Sequence, residues 1–426
     1  MIRRRRLLGG LAGASALAAL SGCAAPGTGS ARPRVAVVGG GYGGATAAKY
    51  LRLLSNGSID VILIEPEPAF VSCPMSNLVV AGVLELPAIT SSYRRLSEEH
   101  GITVVRDHAT DIDVPGRSVT LAAGASLRYD KLVLSPGVDL MFDAVTGSRV
   151  AQASGRVLQA WKAGPETVAL RRQLQAMADG GTFAITIPEA PFRCPAAPYE
   201  RACLVADYFR RSKPRSKVLV LDANEDLVAT GPLFRKAWTE LYGSMIEYRN
   251  LHSAVAVDAA SGTISFELQD DVRADVLNVL PPMRAGALAV RAGLANSNGR
   301  WCQVDFRSFE SIVAKNVHIL GDSIQTASLM PKSGHMANSH GKAAAAAIVA
   351  ELKGMEPHPR QMLINTCYSF VSSDEAIHAT SVHRYSAAEK TFVAVPGSGG
   401  WSAARSPAEA AIGMAWARNI WADMLD

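Results

Sequence analysis

No C-x-x-C pair occurs anywhere in the 426 residues. That absence speaks against a zinc ribbon, and the absence of C-x-x-C-H speaks against a c-type haem carried on this chain. The six cysteines, Cys23, Cys73, Cys194, Cys203, Cys302 and Cys367, are widely and irregularly spaced. His335 and His340 stand five residues apart, a poor spacing for a shared metal, and no metal is assigned. Aromatic residues make up only 6% of the chain. A strong net charge is also lacking: four units of the formal +5 come from Arg3 to Arg6, leaving +1 on the body. Nucleic-acid binding needs more positive charge than that. No apolar run is long enough for a comfortable membrane span.

Length and a 48% hydrophobic content indicate two or three globular domains with a sizeable core. Residues 1–22 are set apart. Four arginines precede an uncharged apolar and glycine stretch to Leu20, as in a twin-arginine export signal. The expected location is periplasmic. The stretch from Leu20 to Cys23 also resembles a lipoprotein processing box, so Cys23 is a candidate lipid anchor, with ordinary cleavage nearby as the alternative.

The next stretch carries a dinucleotide signature. An apolar strand, Val35 to Val38, runs into Gly39-x-Gly41-x-x-Gly44, and a helical stretch follows. A second strand ends at Glu65. Glycines here let the backbone approach a pyrophosphate at a helix N-terminus, and an acid at this distance accepts from a ribose hydroxyl. The alternative is a glycine-rich turn without a ligand. Further on, "YDKLVLSPG" (129–137) and "NVHILGDSI" (316–324) each read as a strand ending in a small-residue turn. In two-dinucleotide flavoproteins the first closes the FAD domain, and the second brings an aspartate, here Asp322 after Gly321, to the ribityl chain. FAD is the expected cofactor.

What such flavoproteins usually add is a second glycine fingerprint for NAD(P)H, and it is missing. "GTFAITI" (181–187) and "SKVLVLDANE" (216–225) read as the two strands of that unit. Between them runs "PEAPFRCPAAPYERA", whose prolines offer no N–H to a phosphate. Nicotinamide is therefore not expected to bind. Cys194 sits where it would have been held.

These stretches, with "SCPMSN", "WKAGPET", "PPMRAG", "WCQVDFRSFES", "GDSIQTASLMPKSGHMANSHGKAAAA" and "LINTCYS", resemble the flavoprotein subunit of flavocytochrome c sulfide dehydrogenase over about residues 34–425. The match weakens beyond Tyr368. The resemblance implies FAD bound covalently through Cys73, a redox-active disulfide between Cys194 and Cys367, and an acidic partner, Glu200. More loosely, it implies an aromatic neighbour of the flavin at Trp416. It also implies sulfide as substrate and a separate c-type cytochrome subunit as electron acceptor.

The residues leave alternatives open. The disulfide could be a structural staple, stabilising a loop of this length by ~5 kcal/mol on the chain-entropy account. It could instead be an electrophile that sulfide opens. Glu200 could manage a proton or be an exposed carboxylate in a first helical turn. Lys332, before a helix expected to begin near Ser333, could place charge at the flavin or lie in solvent. Cys203 and Cys302 read as buried thiols.

The expected fold is α/β with two Rossmann-like domains. An FAD-binding domain, 34–147 and 286–357, is interrupted by an NAD-like domain, 148–285, and followed by a C-terminal segment, 358–426, near the flavin or an interface. The expected function is sulfide oxidation to sulfur or polysulfide with electrons passed to a c-type cytochrome. The rivals are a sulfide:quinone oxidoreductase and a non-catalytic accessory flavoprotein of a sulfur-oxidising complex.

Overall fold

The computed structural model describes residues 32–426. The signal stretch and Cys23 lie outside the described residues. The fold is α/β, with Rossmann-like parallel sheets.

The larger sheet has seven strands. Across it run Val304–Asp305, Glu310–Ser311, Ala314–Ile319, Lys131–Leu134, Arg34–Val38, Asp60–Ile64 and Thr103–Val105. The five strands from Ala314–Ile319 onward are parallel, with Val35 opposite both Val61 and Lys131. Val35 to Val38 are all buried. A parallel strand covered on both faces has no solvent side, so its sequence is continuously apolar. Helix Tyr42–Leu54 follows the first strand and packs on helix Gly334–Leu352. Gly341 makes that crossing close, since a Cβ there would lie 2.6 Å from the Gly43 carbonyl oxygen.

The second sheet is fully parallel: Val157–Leu158, Val276–Val279, Thr182–Ile187, Lys217–Asp222 and Ile246–Arg249. Both strands expected to flank the missing fingerprint are neighbours in it, with Phe183 opposite Val218. Helix Ala197–Ser212 crosses between them in sequence.

The C-terminal segment holds more than a helical end. Met362–Phe370 and Ala376–Ser386 form a long antiparallel hairpin, which Thr391–Ala394 and Gly400–Trp401 extend. Helix Pro407–Leu425 then packs back onto the chain. Its Trp421 Nε1 donates to the Tyr42 hydroxyl at 3.0 Å. Its Asp423 accepts from Tyr50, Asn338 and Lys342 at 2.7, 2.8 and 2.9 Å. Among the described residues no helix is long and apolar enough to cross a membrane.

Candidate functional site

The glycine turn is shaped for a ligand. The helix begins at Tyr42, inside the fingerprint, with Gly41 as an N-cap that makes no side-chain bond. Its first N–H groups are therefore free to face an anion. Gly39 has φ +95, and a Cβ on it would run into the Ser135 carbonyl oxygen; one on Gly44 would run into the Gly39 carbonyl oxygen. These two glycines are demanded by the protein itself. Gly41 is not, for a Cβ there meets no atom within 4 Å. The space in front of it belongs to a groove.

That groove, of about 600 Å³, is lined by Gly41, Glu65, Cys73, Arg193, Cys194, Gly321 and Asp322, among others. Glu65 is buried and accepts from the backbone N–H of Gly40 at 2.6 Å and of Glu67 at 3.0 Å. Ionised, it keeps lone pairs for a hydroxyl donor. Two polar atoms of residues lining this groove, Asp322 Oδ1 and Arg193 Nε, are buried without a hydrogen-bond partner. An open glycine, a free helix N-terminus and orphaned polar atoms along one groove fit FAD. Glu65 would hold the ribose, the turn after Gly39 the pyrophosphate, and Asp322 the ribityl chain.

A second cavity, of about 680 Å³, shares Cys73, Pro74, Cys194 and Gly334 with the groove. Its wall also carries Glu200, Cys367, Lys332 and Trp416. Residues from five separated stretches of sequence thus meet in one place. Cys194 and Cys367 are free thiols here, and burial pushes both above the ordinary thiol range. The Arg193 guanidinium opposes that effect at Cys194.

Cys194 is held firmly. Its N–H donates to the Lys332 carbonyl at 2.8 Å, its own carbonyl accepts from Ala197 N–H at 3.0 Å, and Arg193 donates to the Trp161 carbonyl. Its φ is +55. A non-glycine residue in that region costs of order 1 kcal/mol or more and persists only when its surroundings fix it. The loop leads into a helix whose first turn contains Pro198 and the carboxylate of Glu200. Neither favours a phosphate.

Glu200 is buried, which removes the exposed-carboxylate alternative. It accepts from Asn77 Nδ2 at 2.7 Å and from Phe370 N–H at 2.8 Å. Burial raises its pKa to about 7 against these two bonds and the neighbouring Arg201 charge. Lys332 is not a solvent lysine either. It is 4% exposed, its Nζ lies 3.6 Å from the centre of the Trp301 ring, and it donates to the carbonyls of Asp322 and Ile324. Burial lowers its pKa to about 7. Trp416 lies 5.8 Å from the His335 ring and 5.9 Å from Tyr368. Both Lys332 and Trp416 face the cysteine cavity, whereas the groove is lined without them.

The remaining thiols are buried: Cys203 accepts from Trp238 Nε1 at 3.1 Å, and Cys302 packs in the core. Two contributors escaped the sequence reading. Arg193 adjoins Cys194, and its position inside "PFRCP" was the available signal. Asn77 lies within "SCPMSN", where nothing distinguished it from its neighbours.

Three family models match the chain: pyridine nucleotide-disulphide oxidoreductase over residues 33–163, the central part of the flavocytochrome c sulfide dehydrogenase flavoprotein chain over 167–281, and the flavocytochrome c sulphide dehydrogenase flavin-binding model over 359–425. The last covers the stretch beyond Tyr368, where the resemblance had weakened. Over 46 residues the chain is 65% identical to the sulfide dehydrogenase flavoprotein chain of Chlorobaculum thiosulfatiphilum, covering 11% of this chain and 94% of that sequence. It is 25% identical over 300 residues to the mitochondrial sulfide:quinone oxidoreductase of Dictyostelium discoideum, covering 68% of this chain and 65%, just under two thirds, of that protein. The crystal structure of the sulfide:quinone oxidoreductase from Aquifex aeolicus superposes with a TM-score of 0.77 at 19% identity, covering 92% of this chain and 91% of that one. The chain belongs to the sulfide-oxidising flavoproteins built on the pyridine nucleotide-disulphide oxidoreductase fold.

Proposed function

We propose that this protein is a sulfide dehydrogenase of the flavocytochrome c type: it oxidises sulfide at a Cys194–Cys367 pair beside covalently held FAD and delivers electrons to a c-type cytochrome. The observation that carries the reading is the shared wall. Cys194 lines both the FAD-shaped groove and the cavity that holds Cys367 and Glu200.

The chemistry follows from those residues. In the oxidised enzyme Cys194 and Cys367 form a disulfide. Hydrosulfide attacks one of its sulfurs. The bond between the cysteines breaks, a new S–S bond forms to the incoming sulfur, and the other cysteine leaves as a thiolate. The proton on the incoming sulfur passes to the Glu200 carboxylate, which titrates near neutrality and suits such a transfer. Bound FAD supplies a two-electron acceptor next to that thiolate. Arg193 places a fixed positive charge near Cys194 and Cys73. Two electrons taken up by bound FAD would let the persulfide sulfur and the free thiolate join as a trisulfide. A second hydrosulfide would open it at the central sulfur, and return of the freed cysteine thiolate onto the other cysteine sulfur would restore the disulfide and release HSS⁻, the shortest polysulfide. Residues 1–22 support export to the periplasm by the twin-arginine route, where a c-type cytochrome partner would be met; Cys23 is a candidate lipid anchor there.

A second reading keeps the same sulfur chemistry and changes the acceptor to a quinone. It is favoured by the apolar rim of the cysteine cavity, where Leu329 is 81% and Trp401 54% exposed. The test is turnover of sulfide by the purified holoprotein, with a c-type cytochrome or with a short-chain quinone as acceptor. Fast cytochrome reduction with little quinone reduction supports the first reading, and the reverse supports the second. No turnover with either points to a non-catalytic accessory flavoprotein.

A further inference from the structure

We propose that Asn77 is a positioning residue for the proton acceptor: it converts the fixed polarity of the buried Arg201 guanidinium into a permanent hydrogen-bond donor aimed at Glu200. The inference rests on the reading of Glu200 as the group that takes the proton from sulfide.

The geometry leaves Asn77 one orientation. Arg201 is fully buried, and its N–H groups make four hydrogen bonds to fixed acceptors. Nη1 donates to the Gln159 carbonyl at 3.0 Å and to Asn278 Oδ1 at 2.7 Å, and Nη2 donates to the Ala160 carbonyl at 2.7 Å. Asn278 is itself pinned, donating to the carbonyls of Leu158 and Gln159 at 2.6 and 2.8 Å. The guanidinium also lies 5.1 Å from the Trp161 ring. Arg201 therefore cannot turn. Its Nε donates to Asn77 Oδ1 at 2.9 Å.

A guanidinium only donates, so Asn77 must offer it the amide oxygen. The amide nitrogen then has to face the other way. There it donates to Glu200 Oε2 at 2.7 Å and to the Ala197 carbonyl at 3.1 Å. Asn77 is 4% exposed, so no water competes on equal terms. The second Glu200 oxygen takes the Phe370 N–H, three residues beyond Cys367 on the same strand. Both donors favour the ionised carboxylate, and burial opposes them.

The charged and titratable groups facing Glu200 are Arg201 and Cys203 on its own helix and Cys367 on the hairpin strand, with Cys73 and Arg193 coupled to it through Arg201. Among them Asn77 is the residue whose removal withdraws a donor without altering a charge. It also ties the carboxylate to the Cys73 stretch, four residues away in sequence, so that one short segment serves both flavin attachment and proton handling.

The test compares holoenzyme variants by stopped-flow reduction of the flavin with sodium sulfide from pH 5.5 to 9. Titration of sulfide itself is common to all of them and cancels in the comparison. Asn77→Asp keeps the bond to Arg201, replaces the donor by an acceptor and adds a negative charge, so Asn77→Ala, which removes the donor without altering a charge, is measured beside it. The expected result is an alkaline shift of the Glu200-dependent limb by one pH unit or more, with bound flavin unchanged and the rate above that limb restored to within about tenfold. An infrared band of a protonated carboxylic acid, absent in Glu200→Gln, should persist to correspondingly higher pH. If Asn77→Asp does not fold, Asn77→Ala serves, with the same expected direction. A limb that stays in place in these variants while Glu200→Gln abolishes it overturns the proposal. A limb untouched in Glu200→Gln overturns the reading of Glu200 beneath it, and the proposal with it.

Discussion

The backbone N–H of Cys194 donates to the carbonyl of Lys332 at 2.8 Å. That bond fastens the proline-rich loop of the second sheet to the residue two positions before helix Gly334–Leu352, where the groove and the cysteine cavity meet. A thiol so held moves little when its partner leaves. Cys194→Ala and Cys367→Ala should each remove most sulfide-driven flavin reduction while flavin stays bound. Neither should change stability by more than about 1–2 kcal/mol in a reduced sample, since each deletes one partly exposed sulfur. Alkylation of the sulfide-treated enzyme followed by mass spectrometry should find an added sulfur on one of the two. Near-normal reduction in either variant would leave the pair a structural staple.

Nicotinamide should be inert. At the end of strand Lys217–Asp222, where a dinucleotide fold would present an acid to ribose, Asp222 is buried. It already accepts from Tyr199 at 2.7 Å and from Asn224 Nδ2 at 2.7 Å. Under anaerobic conditions NADH and NADPH should leave the flavin spectrum unchanged over minutes, while sulfide bleaches it within manual mixing. Rapid bleaching by NADH would show that the proline loop does not close the site.

Two glycines of one fingerprint should respond differently. Gly41→Ala adds a methyl group into open space at φ −71, so the fold should hold to within about 0.5 kcal/mol while flavin retention falls. Gly44→Ala drives a methyl into the Gly39 carbonyl and should destabilise the protein by several kcal/mol. Thermal melts of the apoproteins and flavin-to-protein ratios after purification separate the two effects.

Covalent flavin is checked by denaturation. Acid-precipitated protein should keep its yellow colour, and Cys73→Ser should lose it while still binding flavin in the groove before denaturation. Release of free FAD from the unsubstituted protein would refute attachment at Cys73.

Glu200 also predicts a pH dependence of stability. Its folded pKa, about 7, lies above the ordinary 4.5. Between those values the folded state binds the proton that the unfolded state has lost, so stability falls as pH rises across this window and levels off above it. Glu200→Gln removes that slope. The stability difference between variant and parent should therefore move in favour of glutamine from pH 5 to pH 8, by up to about 3 kcal/mol. Denaturant melts at several pH values measure it; a flat difference would mean the carboxyl titrates normally.

Much of this arrangement was legible in the sequence. The strand from Val35 to Val38 and those around 181–187 and 216–225 announced themselves by continuous apolar runs, because parallel strands are buried on both faces. Ser333 as the start of the long helix was readable from its capping chemistry, and its hydroxyl accepts from Met336 N–H at 3.1 Å. The hairpin carrying Cys367 was not. Met362–Phe370 mixes buried and exposed positions because it passes from sheet to cavity wall, so the alternation that marks a strand is broken in its middle. Asn77 and Arg201 were invisible for another reason. Their roles depend on a partner more than a hundred residues away, and no local pattern distinguishes a pinned asparagine from a solvated one.

The bond from Trp421 to Tyr42 spans 379 positions of sequence. The nucleotide turn emerges early in synthesis, yet the hydroxyl beside it gains this donor only when helix Pro407–Leu425 docks. Tyr42 in turn meets Ser72 at 2.7 Å, next to Cys73. Contacts of such long separation form late in folding because the loop they close costs the most entropy. The surroundings of the flavin groove are thus completed by a helix from the far end of the chain. A chain shortened before Pro407 should accordingly fold its first strands and helix yet retain flavin poorly.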